Sequence, residues 1–422
     1  MAGKNAGALT PKIAAAAARG DEALRAQAPR LEDIAAHNHR KMLRAFQAAR
    51  VSSYHLHGST GYGLGDAGRE ALDMAVAAVL GTESALVRHQ FVSGTHAIAA
   101  ALFGVLRPGD HALSVSGLPY DTLLPVIGTA GERGSLREWG IGFDAVPLTG
   151  QSRVDLAAVR AAARPDTRIF LLQRSAGYAG RQSLPMAEIA RFIAWSKENF
   201  PNIYVFVDNC YGELVEKTEP GDAGADLTAG SLIKNLGGTL APTGGYIAGR
   251  RDLVELAADR FAAPGIGMEV GASLDVQKLL LQGLFFSPLT VAEAVKSMIF
   301  TAAFWTELGF TARPEASAPR ADIIQAVELG SAKRLAAFCR GVQKGSALDA
   351  HMRPEPAPMP GYADEILMAG GVFVQGATAE FSADGPLRPP YTVYMQGGIS
   401  VHYVREANIL AAQQMQEDGL LR

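Results

Sequence analysis

The chain has 422 residues, 39 Lys and Arg against 42 Asp and Glu, a net charge of −3, and 48% hydrophobic against 19% charged residues. So much apolar material excludes disorder over most of the length, because enough surface is buried to offset chain entropy. The near-neutral balance, without a basic run, argues against nucleic acid as the main partner and points to a small molecule. At roughly 150 residues per domain the length suggests two or three domains, or one large α/β domain with a smaller companion.

Cys210 and Cys339 are the two cysteines. No disulfide framework is expected, and a reducing, cytoplasmic setting is the natural reading. The apolar run Ile13–Ala18 behind Lys4 and Lys12 is too short for a signal-peptide core. Nor does any stretch reach the roughly 18 uninterrupted apolar residues that span a bilayer; the candidate Ala71–Leu80 contains Asp73.

Residues 1–50 are rich in Ala, Arg and Glu at helical spacing, and Gly20 and Pro29 are predicted to break them into short helices. With few bulky apolar residues, this arm belongs on the body of the protein or on a second subunit. Ser53–Gly68, dense in Gly, Tyr and His, reads as a long functional loop. Strands are predicted at His111–Val115, Gly142–Val146, Arg168–Leu172, Ile203–Val207 and Gly245–Ala248. Helices fill the gaps at Gly68–Leu80, Thr95–Leu106, Asp121–Ala130, Leu156–Ala163 and Pro185–Glu198. That alternation implies an α/β fold with a mostly parallel sheet covered on both faces, and such sheets bind ligands at the carboxyl ends of their strands.

After residue 250 the pattern turns helical at Asp252–Phe261, Leu274–Gln282 and Val291–Leu308. A smaller α+β unit then begins near Gly309. It has a strand at Asp322–Glu328, a helix at Ser331–Val342, a Pro-rich loop at Arg353–Pro360, strands near Gly371–Gln375 and Tyr391–Met395, and a helix at Arg405–Gln416. The division is an N-terminal arm and loop over 1–60, a large domain over 61–308 and a small C-terminal domain over 309–422.

Three local signals carry chemistry. The apolar strand Ile203–Val207 ends in Asp208, which puts a carboxylate where ligands bind. Lys234 follows 26 residues later, one of ten lysines, with no charged residue within seven positions on either side; apolar surroundings would lower its pKa and make it an amine nucleophile. Ser93-Gly94-Thr95 opens an apolar helix, and free N–H groups, hydroxyls and the helix dipole make that end an anion site. Anion site, strand-end Asp and buried Lys, in that order, match the phosphate, ring nitrogen and aldehyde of pyridoxal 5′-phosphate (PLP). Tyr120, after the following strand, offers a ring to stack on it. Cys210 reads as a small packed residue beside Asp208. His55, His57, His89 and His96 lack metal-ligand spacing, and no metal is expected.

These residues resemble fold-type I PLP enzymes. More closely, the chain resembles the methionine γ-lyase-like family also labelled aluminium-resistance proteins, distant relatives of the cystathionine β- and γ-lyases. The resemblance rests on Gly61-Tyr62-Gly63 with Gly65-Asp66 and Gly68-Arg69, on Ser93–Ala97, on Val207–Glu213, on Ser231–Asn235 and on Ala383–Tyr391. It implies a PLP-dependent transferase fold of type I in a homodimer or homotetramer. It implies that Lys234 links to the cofactor aldehyde, Asp208 pairs with the ring nitrogen, Tyr120 stacks on the ring, and Gly94, Thr95 and Ser231 bind phosphate, with Ser93 beside them. Tyr62 would reach a neighbouring subunit's phosphate. The lyases carry an Arg two residues after that tyrosine, where Leu64 stands here, so the contact is weaker or supplied by Arg69; Ile233 likewise replaces a Thr before the lysine. Arg388 is the candidate for an amino-acid carboxylate. Gln173, Arg174 and Tyr178 should line the pocket, with Arg174 facing phosphate, substrate or a carboxylate neighbour.

The expected chemistry is elimination of a thiol from a sulfur-containing amino acid to give a 2-oxo acid and ammonia. Tyr120 or Tyr62 would protonate the leaving sulfur. The alternatives are a PLP-dependent aldolase or transferase with a non-sulfur substrate, and a non-catalytic PLP-fold binding or regulatory protein. No nucleic acid and no membrane is expected as a partner.

Overall fold

Alternating apolar residues on the central strands fix how the layers stack. In β4 (Thr167–Gln173) and β5 (Tyr204–Asp208), Ile169, Leu171 and Phe206 turn to one side, where the helices Gly94–Val105 and Arg251–Phe261 pack. Phe170, Leu172, Val205 and Val207 turn to the other, against the helix Met186–Asn199. A strand with both faces buried in this way belongs inside a covered sheet. The computed structural model describes residues 9–421; residues 1–8, including Lys4, and residue 422 lie outside the described residues.

The large sheet contains β1 (Ser84–Arg88), β2 (His111–Ser114), β3 (Gly142–Ala145), β4, β5, β6 (Leu227–Ser231) and β7 (Gly245–Gly249). Its order is β1-β7-β6-β5-β4-β2-β3. The five strands β3, β2, β4, β5 and β6 run parallel, and β7 is antiparallel to both of its neighbours. The expected α/β class with a mostly parallel sheet is the observed one. β1 and β6 escape prediction because their sequences, SALVR and LTAGS, are too small or polar to read as strands. In β6 smallness is required: a Cβ on Gly230 would lie 2.6 Å from Glu213 and 2.7 Å from the Tyr246 ring.

A second sheet, wholly antiparallel, holds β8 (Thr311–Arg313), β9 (Ile324–Glu328), β10 (Ile366–Ala369), β11 (Ser382–Pro386) and β12 (Thr392–Gln396) in the order β10-β11-β12-β9-β8. The predicted strand at Gly371–Gln375 is absent. The Phe373 and Val374 N–H groups donate to the Glu380 carboxylate instead of to a ladder.

Two helices are longer than their sequences suggest. The arm forms one helix, Pro11–Ala48, not short pieces. Gly20 marks a close crossing, since a Cβ there would stand 2.5 Å from the Phe300 ring. Pro29 is carried inside the helix at a cost of about 3 kcal/mol, which burial of Ile13, Leu31 and Met42 offsets. The predicted helices Leu274–Gln282 and Val291–Leu308 join into Gln277–Glu307 across Pro288. This helix and the turn before it are long and apolar enough to cross a membrane, but 67% of that apolar window is buried inside the molecule, as in a core helix. Gly283 on it lies against Gly237, whose carbonyl oxygen a Cβ would meet at 2.2 Å. The long helix therefore buttresses the turn that follows Lys234.

Candidate active site

Three parallel strands end side by side, and their last residues are Gln173 of β4, Asp208 of β5 and Ser231 of β6. All three line a cavity of about 480 Å³ between the two sheets. Lys234, the helix start Ser93-Gly94-Thr95, and Tyr120 line it as well. These residues span more than a hundred positions of sequence, and the carboxyl ends of a parallel sheet bring them together.

Local geometry sets each one. Asp208 is 3% exposed, and its Oδ1 accepts the Cys210 N–H at 3.1 Å, which fixes the turn out of β5. Gly94 packs so closely on this turn and on β6 that a Cβ would lie 3.2 Å from both Cys210 Sγ and Ser231 Cβ. Cys210 is thus a packing residue, and burial, with Asp208 beside it, pushes its thiol well above the usual range. Ser93 Oγ accepts the His96 N–H at 3.1 Å and caps the helix. Thr95 and Tyr120 share a hydrogen bond of 2.9 Å between hydroxyls, and Gln173 Oε1 accepts the Tyr120 N–H at 2.9 Å. Ser231 Oγ is buried with no hydrogen-bond partner.

Lys234 Nζ sits 3.9 Å from the centre of the Tyr211 ring, a cation–π contact that sequence reading missed. Burial works against its charge, but Cys210, Tyr211 and Asp208 around it prevail and hold the ammonium well above the ordinary lysine range. This reverses the lowered pKa expected from apolar flanks in the sequence. Asp208 moves upward, driven by burial and restrained by Lys234.

Two residues expected at the site, Arg174 and Arg388, stand elsewhere. Arg174 is fully buried and donates to Asn209 Oδ1 and Glu216 Oε2, each at 2.8 Å, with Glu219 Oε2 at 3.7 Å. Alternation along the chain sends Gln173 into the cavity and Arg174 away from it, so of its three expected neighbours the carboxylate is the one it meets. Arg388 pairs with Asp364 at 2.9 Å and lines an adjacent cavity of about 350 Å³. Tyr178 lines both cavities. Tyr62 is 81% exposed and outside the lining of its own chain's cavity. Arg69 is buried and clamps the loop by donating to the carbonyls of Gly63, Glu269 and Gly271.

The small sheet and the turn before β11 contribute groups that had no expected role. Asp384, Gln396, Ser382 and Thr378 line the cavity wall across from the strand ends, and burial pushes the Asp384 carboxyl up to about 7. The signal for them is the alternation of Ser382 and Asp384, which the Gly385-Pro386 end of the strand obscures.

The methionine gamma-lyase family model matches residues 13–416. An uncharacterized Bacillus subtilis protein, YnbB, is 47% identical over 393 residues, covering 93% of both chains. A solved carbon–sulfur lyase involved in aluminum resistance from Clostridium novyi is 40% identical with a TM-score of 0.92, covering 96% of each chain. An L-methionine gamma-lyase of Pseudomonas putida is 30% identical over 215 residues, half of this chain and 48% of its own. The mostly parallel sheet with its antiparallel companion is fold type I of the PLP-dependent enzymes, and the chain belongs to the methionine gamma-lyase family.

Proposed function

We propose that this chain is a PLP-dependent carbon–sulfur lyase, which removes a thiol from a sulfur-containing amino acid of the cystathionine, cysteine or methionine type and releases a 2-oxo acid and ammonia. The observation that carries the reading is one cavity holding a half-buried lysine, a buried strand-end carboxylate and an unpartnered serine hydroxyl beside a helix start. These groups fit the cofactor. Ser231 Oγ, the Thr95 hydroxyl and the Gly94 and Thr95 N–H groups suit a phosphate. Asp208 suits a ring nitrogen and Lys234 an aldehyde.

When bound, PLP supplies an electron sink for a carbanion at the substrate Cα. Asp208, kept from water, holds a proton at the ring nitrogen. Lys234 would hold the aldehyde, and its amine, once released by substrate, would move the Cα proton. Without the cofactor the amine is held charged beside Asp208. Tyr120, its hydroxyl hydrogen-bonded to Thr95, would stack on the ring, and it is the proton donor to the leaving sulfur that this chain itself supplies. Tyr62, exposed on its loop, fits a phosphate contact in a second copy, which is why we assign a homodimer or homotetramer.

The test is turnover of L-cystathionine, L-cysteine and L-methionine by the PLP-loaded protein, with 2-oxo acid and free thiol assayed. At least one should yield both products, and Lys234→Ala should yield neither. Loaded protein that releases no oxo acid from any of them, or a fully active Lys234→Ala variant, would overturn the lyase assignment.

A further inference from the structure

The cavity that holds Lys234 has a neighbour. It measures about 480 Å³ and the adjacent cavity about 350 Å³, and Gly177, Tyr178, Ile324 and Tyr394 line both. Gly177 and Tyr178 belong to a turn outside any strand or helix, so side chains rather than a ladder of backbone close off one space from the other. Tyr178 is held from several sides. Its ring lies 4.8 Å from that of Tyr394 and 5.7 Å from that of Tyr362. Its hydroxyl hydrogen-bonds the Asp384 carboxyl, and its carbonyl oxygen accepts the Tyr394 hydroxyl at 3.0 Å. Gly177, at φ +56°, turns the chain so closely past Tyr120 that a Cβ there would stand 3.7 Å from Tyr120 Cβ. The partition therefore begins beside Tyr120, next to the groups assigned to the chemistry.

The two spaces differ in charge. Among the described residues Lys234 is the one basic side chain lining the first, whereas Arg181, Arg313 and Arg388 line the second. The carboxylates of the second cavity are already engaged. Asp322 accepts the Ser175 and Ser183 hydroxyls and the Ile324 N–H, and Glu328 pairs with Arg313 at 2.8 Å. Arg181 donates to the carbonyl oxygens of Gln173, Ser175 and Gln182, and Arg388 pairs with the half-exposed Asp364. Positive charge is in excess there, and guanidinium groups suit a carboxylate. The first cavity must hold the cofactor as well as the substrate, so a long side chain has room only by passing the Tyr178 ring.

We propose that Tyr178 is a specificity residue that limits the length of the substrate side chain by closing the Lys234 cavity off from the arginine-lined one. The inference rests on the lyase reading and narrows it to short side chains, of the cysteine or methionine type. Longer chains that end in a carboxylate are excluded by the ring and would reach the guanidinium groups once it is removed.

Norleucine and 2-aminosuberate test this, because neither has a sulfur to eliminate and they differ in length and in a terminal carboxylate. Their affinities for the PLP-loaded protein are measured by calorimetry. The unmodified protein should bind norleucine at least about tenfold more tightly than 2-aminosuberate. Tyr178→Ala should abolish or reverse that preference, and Arg388→Ala added to it should take back about tenfold of the gain for 2-aminosuberate. Tyr178→Phe, which keeps the ring and loses the hydroxyl, should keep the preference for norleucine. Tyr178→Leu, a smaller change, should show part of the gain and serves if Tyr178→Ala does not fold. Equal binding of the two ligands by the unmodified protein, or a folded Tyr178→Ala or Tyr178→Leu variant with an unchanged preference, would overturn the partition and leave the lyase reading standing. A protein that takes up no PLP and binds neither ligand would overturn both.

Discussion

The two walls of the cavity are assembled differently. On the large-sheet wall, each group sits at a strand end or helix start inside its own short run of sequence: Asp208 closes β5, Ser231 closes β6 with Lys234 three residues on, and Gly94 and Thr95 open a helix. On the small-sheet wall, Asp384 and Gln396 lie on adjacent strands, 12 residues apart in sequence, and meet through the register of β11 and β12. The first wall carries the chemistry proposed for every substrate. The second bears side chains that alternation can exchange one at a time without disturbing a strand end, so selectivity is the property it is suited to vary.

Substitutions on the first wall should therefore cost turnover, and changes behind it should cost stability alone. The largest effect on turnover short of losing Lys234 is expected from Asp208→Asn, which keeps shape and removes charge. Its kcat on the best substrate should fall on the order of 10²–10³-fold with PLP saturating, and a loss under about threefold would detach Asp208 from the chemistry. Arg174→Ala should leave the fully buried Glu219 with Lys41 alone, 3.9 Å away, and cost about 3 kcal/mol in denaturant unfolding. Its turnover at a permissive temperature should remain; a kinetic loss with no change in stability would return Arg174 to the substrate.

Glu213 sharpens the comparison through pH. It lies behind Lys234, accepts the Tyr246 hydroxyl at 2.8 Å, and is pushed up to about 8 by burial, against the pull of that hydroxyl and of Lys234. Its folded-state pKa thus exceeds its unfolded value of about 4.3. The folded chain holds the proton more tightly, so the contribution is complete below the unfolded pKa and is lost as pH rises to about 8. Glu213→Gln should gain in melting temperature over the unmodified protein as pH climbs through that window and hold a constant lead above it. A lead that shrinks with pH would reverse the sign. The smallest effect belongs to Arg388→Ala, whose half-exposed pair with Asp364 is worth about 1 kcal/mol or less.

Much of the large domain was legible because buried parallel strands write themselves as apolar runs, and the Asp208 and Lys234 motifs because their chemistry is local. What stayed hidden depends on neighbours remote in sequence or on a single step of alternation. The proton affinity of Lys234 balances burial against Cys210, Tyr211 and Asp208, all more than twenty positions upstream. Arg174 and Gln173 are adjacent in sequence and face opposite ways. Gly20 and Pro29 read as breaks, yet tertiary packing on the long helix overrides local propensity. Asp384 was visible inside a family motif, but only register places it beside Gln396.

The central claim is that Lys234 is the lysine that holds the cofactor. Borohydride reduction of the PLP-loaded protein fixes any bond between a lysine amine and the aldehyde, and peptide mapping by mass spectrometry locates it. The modification should fall on the peptide containing Lys234 and be absent from Lys234→Ala. Modification of another lysine, or of none, would contradict the account.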